Sequence, residues 1–215
     1  MLATLTGLGL SAAAGFNAYI PFLIVALVAR FTGFVTLPAE LAWIASPWAI
    51  AIAAILCFAD FFIDKVPALD SINDAISTVI RPATGGLIFT AATAAKNFEE
   101  HSSLMAHNPW IGIVLGVVVA LTVHGGKTIS RPVLNTATGG LAAPVASGAE
   151  EGFSLAMSLT AIFIPILVIF FLIIIAIGLI FITHRTRKFL AKRRQRKGNI
   201  TNQPTGTLPE IPRQL

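Results

Sequence analysis

The chain has 215 residues, of which 55% are hydrophobic and 12% are charged, with a mean hydropathy of +0.81. A water-soluble domain carries about 25% charged residues, so the composition excludes an ordinary soluble globule and indicates an integral membrane protein. The formal net charge is +5, but eight of the fifteen Lys and Arg residues lie in one segment, 185–197. Because that segment follows a long apolar stretch, it is typical of the positive-inside rule and of contact with anionic headgroups. Nucleic-acid binding is not expected.

The first apolar segment runs from Leu2 to Ala29 and contains two interruptions. Gly15-Phe16-Asn17 and Pro21 predict a bent or broken helix, since proline removes a backbone hydrogen bond. Asn17 is the strongly polar side chain of this segment. Two roles stay open for it: a hydrogen bond to a neighbouring helix, or a direct part in a ligand pathway. No cleavable signal peptide is expected.

The second membrane helix is predicted from Pro47-Trp48 to about Ile63, because proline suits a first turn and tryptophan favours the headgroup level. Asp60 and Asp64 are four residues apart and share one face of this helix. Residues 66–80 are too polar to span lipid, so they predict a short interfacial or re-entrant helix. Arg81-Pro82 and the flexible Thr84-Gly85-Gly86 predict a break after this helix. Residues 87–95 are apolar again and complete a third membrane segment together with part of what precedes them.

The second half of the chain repeats this order. Pro109-Trp110 opens a fourth helix, and residues 124–148, rich in Gly, Pro, Thr and Ala, predict a second broken or re-entrant element. The last helix, predicted over 153–183, exceeds the roughly 20 residues that a bilayer needs. It is expected to tilt, to kink at Pro165 or to project beyond the membrane.

A shift of 62 positions aligns the two halves without a gap. It places Pro47-Trp48 on Pro109-Trp110, Lys65 on Lys127 and Asn73 on Asn135. This pattern predicts an internal duplication with cores at about 46–86 and 108–148. A competing alignment pairs Arg81-Pro82 with Arg131-Pro132. Duplicated halves with interrupted helices are typical of secondary transporters, whose site lies between the repeats.

The candidate functional residues are the charged and amide side chains of these polar stretches. Charge at membrane depth is costly, so it usually faces a bundle interior or a cavity. Three interpretations stay open: carboxylates that bind a cation or proton, basic residues that bind an anion, and a buried ion-pair network that only fixes helix packing. The candidates are Asn17, Asp60, Asp64, Lys65, Asp70, Asn73, Asp74, Arg81, His124, Lys127, Arg131, Asn135, Glu150 and Glu151.

Enzyme and metal signatures are missing from the sequence. Cys57 is the single cysteine, so neither an intramolecular disulfide nor a cysteine metal site is expected. The chain has no HExxH motif, no serine elbow and no phosphate-binding glycine loop. We therefore expect no catalytic residues, no bound metal and no cofactor.

Five stretches resemble the bacterial multi-pass membrane proteins of domain-of-unknown-function family 4126. They are GLSAAAGFNAYIP (9–21), DKVPALDSIND (64–74), RPATGG (81–86), HGGKTISRPVLNTATGG (124–140) and the acidic pair at 150–151. The resemblance covers roughly residues 4–197. It implies a polytopic membrane architecture and supports the choice of residues, and it carries no activity with it.

The sequence as a whole predicts an all-α polytopic transmembrane helical bundle of about five or six membrane segments with broken or re-entrant helices. Residues 1–184 are expected to form the bundle, 185–197 a basic juxtamembrane segment and 198–215 a disordered cytoplasmic tail. The favoured function is a small transporter or channel for an ion or a small polar or anionic solute. The alternatives are a non-transporting scaffold or accessory subunit and a protein that handles lipid headgroups. We expect the cell (inner) membrane, a cytoplasmic C-terminus and anionic lipid partners, and a homodimer is compatible with the sequence.

Overall fold

The computed structural model describes the backbone of residues 1–64, 67–95, 108–139, 141 and 143–201, and their side chains except those of 67–72, 74, 109, 132–137 and 186–201. Within these residues all regular structure is helical. The α-helices are α1 (Leu2–Phe16), α2 (Tyr19–Phe31), α3 (Pro47–Ile63), α4 (Pro67–Ala94), α5 (Pro109–Thr138), α6 (Ala143–Phe163) and α7 (Val168–Thr201). Two 3-10 helices, Ala39–Ala45 and Pro165–Leu167, precede α3 and α7.

Three segments of the described chain are long and apolar enough to cross a membrane. They are Ala75–Ala94 in α4, Trp110–Arg131 in α5 and Pro165–Arg185, which includes the first half of α7. The 3-10 helix Ala39–Ala45 and α3 form a pair bent by 52°, which would be a fourth span if the pair counts as one. The apolar helices agree with the predicted helical membrane protein.

The predicted break in the first segment is confirmed at Asn17. This residue has an extended backbone (φ −146°, ψ 123°) between α1 and α2. Its Oδ1 accepts hydrogen bonds from the backbone N–H groups of Tyr19 (2.9 Å) and Ile20 (3.2 Å), so the side chain caps the start of α2. Pro21 lies in the first turn of α2, where backbone N–H groups have no partner within the helix, so it does not disturb the helix.

The chain reverses direction at this break, so α1 and α2 form a hairpin. The Ser154 hydroxyl donates to the Ala13 carbonyl, and Gly9 packs against Ala161, which makes α6 antiparallel to α1. The end of α6 therefore lies beside the start of α1. Because the Phe34 ring lies 5.3 Å from the Phe163 ring, the chain after α2 has returned to that same end. We call residues 15–18 the hairpin tip.

Helices α4 and α5 pack closely against each other through glycine. A Cβ on Gly85 would lie 2.6 Å from the Ala120 Cβ and 2.8 Å from the Gly116 carbonyl oxygen, and a Cβ on Gly116 would meet the Gly85 carbonyl oxygen. Gly15 at the hairpin tip likewise packs on Ala120 and Val123. Small residues allow such close approach of membrane helices, so these glycines bring α1, α4 and α5 together.

This packing explains why one predicted break is wrong and why another lies later in the chain than its first glycines suggest. The structure continues α4 through residues 81–86, with Pro82 inside the helix, because the glycines there serve contact between helices. It also continues α5 through residues 124–138, so the break predicted within 124–148 lies at Gly139, which has a positive φ of 62°. Glycine adopts that conformation readily and is the usual residue after a helix end.

The predicted single helix over 153–183 is two antiparallel helices, so the kink expected at Pro165 is a complete break. They meet at Ile164 and Pro165, and proline cannot continue the hydrogen-bond ladder of α6. Val168 contacts Gly9, and Leu179 contacts Gly126, so α7 runs back in the direction of α1 and α5. The acidic residues Glu150 and Glu151 consequently lie in the third turn of α6 rather than at a helix start.

The bundle has two distinct ends. We call one the tryptophan end, since Trp48 and Trp110 begin α3 and α5 there, and the other the basic end, toward which α5 and α7 carry Arg131 and Arg185. The hairpin tip packs on Val123, which is 13 residues past Trp110 and eight before Arg131. At 1.5 Å per helical residue the tip lies about 20 Å from Trp110 and about 12 Å from Arg131.

Candidate functional site: buried charges at the hairpin tip

Asp60 is almost completely buried, and its carboxylate accepts hydrogen bonds from two side-chain amides. It lies near the end of α3 and is 3% exposed. The Asn17 amide donates to Asp60 Oδ2 (2.8 Å), and the Asn73 amide of α4 donates to Oδ1 (2.6 Å). No Lys, Arg or His side chain of the described residues lies within ion-pair distance of this carboxylate. Asp60 is thus a buried acid whose direct partners are neutral.

Asp64 has the opposite environment, since two cations contact it. Its Oδ2 lies 3.2 Å from Lys127 Nζ and 3.3 Å from an Arg131 guanidinium nitrogen. The Glu150 carboxylate lies 3.0 Å and 2.7 Å from the same two groups. We call these four residues, which lie at the end of α3 and on α5 and α6, the charge cluster. Two acids and two bases balance in charge, which offsets the cost of burying them.

One amide joins the charge cluster to Asp60. The Asn73 Nδ2 donates to Asp60 Oδ1 at 2.6 Å and to Asp64 Oδ1 at 2.7 Å. An amide nitrogen has two hydrogens, so each carboxylate receives one of them. Asp60 and Asp64 share a face of the chain, as their spacing predicted, and Asn73 holds their two oxygens toward each other.

Arg81 lies beside the hairpin tip and outside the charge cluster. It is 1% exposed, and its NH1 lies 3.3 Å from His124 Nδ1 and 3.5 Å from the Gly15 carbonyl oxygen. The other ring nitrogen of His124 lies 3.0 Å from the Thr78 hydroxyl. The NH2 group of Arg81 is buried and has no hydrogen-bond partner. Within the described part of the chain no carboxylate pairs with this arginine.

A cavity of about 240 Å³ lies between α2 and α3, and we call it the α2–α3 cavity. Its walls are mainly apolar and aromatic, with two hydroxyl groups among them. The cavity begins near the tryptophan end and reaches Ala18 of the hairpin tip. Its lining includes Tyr19, Phe22, Trp43, Ile52, Leu56 and Thr84.

A second cavity of about 310 Å³, which we call the α5–α7 cavity, lies between α5, α6 and α7. It lies toward the basic end, and two members of the charge cluster belong to its lining. The remaining walls are largely apolar. Its lining includes Phe16, Val123, Lys127, Glu150, Phe153 and Leu179. The hairpin tip therefore separates the two cavities, since Phe16 borders one and Ala18 borders the other.

Nine of the fourteen predicted residues meet around the tip: Asn17, Asp60, Asp64, Asn73, Arg81, His124, Lys127, Arg131 and Glu150. Glu151 follows on α6 and is partly buried. Lys65 lies outside the described residues. The backbones of Asp70, Asp74 and Asn135 belong to α4 and α5, but their side chains lie outside the described part. That these residues form a pathway stays a prediction.

Ser147 and the Gly15 carbonyl are parts of the site that the sequence reasoning missed. The Ser147 hydroxyl donates to the Asp64 carbonyl (3.0 Å) and lies 3.0 Å from an Arg131 nitrogen. Its position three residues before Glu150, on the same helical face, was the available signal. The role of Gly15 depends on the reversal of the chain at Asn17, and the residue types there do not predict that reversal.

Comparison with known proteins supports the resemblance seen in the sequence motifs. Searches among curated proteins and among solved structures give no significant match. A family model, described as "Domain of unknown function (DUF4126)", matches residues 4–185. This range includes both cavities, the charge cluster and the hairpin. The chain therefore belongs to the DUF4126 family.

Proposed function

We propose that this protein is a small membrane transporter for an ion or a small polar solute, with its pathway along the buried charges of the hairpin tip. The observation that carries the proposal is the position of the tip between two cavities. The α2–α3 cavity approaches it from the tryptophan end and the α5–α7 cavity from the basic end. Alternating access opens a fixed central site to each side in turn, and a tip with buried charges between two cavities suits such a site.

The proposed architecture has five or six membrane segments. The α1–α2 hairpin is re-entrant: it enters from the tryptophan end, turns at Asn17 within the depth of α5 and returns. Irregular backbone at that depth needs surrounding protein or a water-filled cavity, and side chains of α3, α4 and α5 surround the tip. In this proposal the C-terminus lies in the cytoplasm of a bacterial cell, which the basic residues of 185–197 support through the positive-inside rule.

The proposed internal duplication has support at the helix starts. Pro47-Trp48 begins α3 and Pro109-Trp110 begins α5, as the shift of 62 residues requires. The two halves then diverge, because α3 ends at Ile63 while α5 continues past the corresponding residue, Gly125. In this proposal the pathway lies where the halves meet, since Asp64 of the first half binds Lys127 of the second.

We assign different roles to Asp64 and Asp60, because the two carboxylates have different partners. Asp64 is neutralised by Lys127 and Arg131, so it holds the helices in register and positions Asn73. Asp60 contacts only amides among the described residues, so it is the carboxylate able to take a cation or an ammonium group. Arg81 supplies the corresponding positive charge for an anionic group.

Flux measurements in proteoliposomes test this function. Uptake of labelled sodium, chloride, acetate and leucine is compared for wild type, Asp60→Asn and Arg81→Gln. Wild type should take up at least one of these solutes above empty liposomes, and both variants should lose that uptake while remaining monodisperse. Arg30→Gln is the matched control, since Arg30 lies at the other end of α2 and binds the Ala45 carbonyl.

Two results would count against a transport role. Folded Asp60→Asn and Arg81→Gln proteins with wild-type uptake would show that the tip charges are not on the pathway. Uptake that falls only in proportion to the amount of folded protein would favour the scaffold interpretation, in which these charges only pack helices.

A further inference from the structure

The α5–α7 cavity differs from the α2–α3 cavity because charged side chains belong to its lining. Lys127 and Glu150 of the charge cluster line it, together with the hydroxyl-bearing Ser130. The cavity is open rather than enclosed, and it lies beside α7, an apolar candidate span of which little is buried within the protein. Since lipid surrounds most of such a helix, a ligand can reach these polar groups from the hydrocarbon of the membrane.

The polar and apolar parts of the lining lie at different depths. Helix α5 runs toward the basic end, so Lys127 lies nearer that end than Val123 does. Helix α6 runs away from it, so Glu150 lies nearer the same end than Phe153 does. Phe16 of the hairpin tip belongs to the deeper, apolar part. An amphiphile therefore fits with its head toward the basic end and its chain toward the tip, which is how a lipid of that leaflet is oriented.

Glu150 is the charged side chain that a ligand in this cavity reaches best. Its side chain is 16% exposed, whereas that of Lys127 is 1% exposed. Lys127 and Arg131 both contact Oε2 of this carboxylate, at 3.0 Å and 2.7 Å. A carboxylate has about four acceptor positions, so the group retains capacity for a further donor. The head of the ligand is accordingly a hydrogen-bond donor.

The two neighbouring cations decide the charge of that head. An ammonium group bound to Glu150 would lie close to both Lys127 and Arg131, and like charges repel strongly where water is scarce. A carboxylate or phosphate head would face the Glu150 carboxylate instead. A hydroxyl group donates a hydrogen bond and adds no charge, so it suits this position.

We propose that the α5–α7 cavity binds a single-chain amphiphile with a neutral hydroxyl head, as in a fatty alcohol or a monoacylglycerol. The hydroxyl lies at Glu150 and the chain extends toward Phe16. The cavity volume of about 310 Å³ lies at the lower end of the roughly 300–1,000 Å³ of ligand sites. It has room for about ten groups the size of a water molecule, each of roughly 30 Å³. This inference goes beyond the proposed function, because the ligand comes from the lipid and its binding requires no transport.

Photolabelling of the purified full-length protein in detergent micelles tests the proposal. The probe is decanol with a diazirine at the end of its chain, and mass spectrometry maps the labelled residues. The deep wall at Phe16, Phe153 or Ile174 should be labelled, because the hydroxyl holds the other end of the probe at Glu150. Unlabelled decanol should compete about 10-fold better than decane, as expected for a hydrogen bond to a charged group. Decylamine and decanesulfonate should compete no better than decane.

A matched pair of glycine variants tests whether the label depends on the cavity. A Cβ at Gly178 or at Gly152 meets nothing within 4 Å, so both positions should accept leucine. Gly178 lines the cavity and Gly152 is not part of the lining. Gly178→Leu should therefore abolish the label on the deep wall, and Gly152→Leu should retain it. Glu150→Gln keeps an acceptor oxygen but removes its charge, so it should weaken competition by decanol about fivefold.

The site would be overturned by labelling that does not saturate, by equal competition from decanol and decane, or by an unchanged label in folded Gly178→Leu protein. Stronger competition by decylamine or decanesulfonate would contradict the neutral head. Unchanged competition in folded Glu150→Gln protein would contradict the role of the carboxylate. If Glu150→Gln fails to fold, the wild-type competition and the glycine pair still decide, because they leave the charge cluster intact.

Discussion

Asp60 and Asp64 are one helical turn apart, yet their surroundings differ in charge. Two cations contact Asp64 and none among the described residues contacts Asp60. Burial alone does not distinguish them, because they are 2% and 3% exposed. They differ because Lys127 and Arg131 are one helical turn apart on α5, so both cations reach Asp64. Asp64 is therefore expected to stabilise the fold, and Asp60 to serve binding.

Replacing Asp64 with Asn should destabilise the protein by about 3–5 kcal/mol, because it leaves buried cations without part of their counter-charge. Denaturant titration in detergent measures this loss. Asp60→Asn is the control and should cost less, since no cation contacts that carboxylate in the described chain. Adding Lys127→Met to Asp64→Asn should restore charge balance with Arg131 and Glu150 and recover part of the loss. An Asp64→Asn protein as stable as Asp60→Asn would refute the assignment.

Asn17 is expected to stabilise α2 through its cap. Asn17→Ala removes the acceptor for Tyr19 and Ile20, and loss of an N-terminal cap costs about 0.5–2 kcal/mol. Asn17→Ser retains a capping oxygen and loses the amide that donates to Asp60, so its melting temperature should lie between those of Asn17→Ala and wild type. Equal melting temperatures for the two variants would show that the cap contributes nothing.

At the scale of the helices, glycine acts in this bundle mainly through close contact. The sequence predicted a flexible stretch at residues 84–86 and a broken element over 124–148, since glycine is typical of both loops and tight helix packing. Only the partner helix distinguishes the two cases, and Gly116 of α5 is that partner for Gly85. The break at Asn17 was predictable because glycine, a capping amide and proline occur together there, whereas the reversal into a hairpin depends on contacts with α6.

Gly116→Ala should separate α4 from α5 and cost about 1–3 kcal/mol, because its new methyl group meets the Gly85 backbone. Gly125→Ala on the same helix is the matched control, as a Cβ there meets nothing within 4 Å. That control should be neutral or stabilising by up to about 1 kcal/mol through helix propensity. Melting temperatures of the two variants in the same detergent compare them directly. Equal losses would contradict the packing role of Gly116.

At the scale of the whole molecule, the candidate residues could be predicted because charged side chains occur within apolar sequence. The sequence did not predict that they form separate groups. The sequence allowed four basic residues to converge on one anion. In the structure, Lys127 and Arg131 bind carboxylates of the protein, while Arg81 lies apart at the hairpin tip. That separation depends on helix register and on the α1–α2 reversal, and both are set by contacts distant in sequence.

The central claim is that the hairpin tip separates two cavities that open toward opposite faces of the membrane. Single cysteines test it most directly in a Cys57→Ala background, with Thr84→Cys in the α2–α3 cavity and Ser130→Cys in the α5–α7 cavity. A membrane-impermeant thiol reagent is applied to right-side-out and to inside-out vesicles. The account predicts that Cys at position 84 reacts from the outside and Cys at position 130 from the cytoplasmic side. Labelling of both positions from the same side would contradict it.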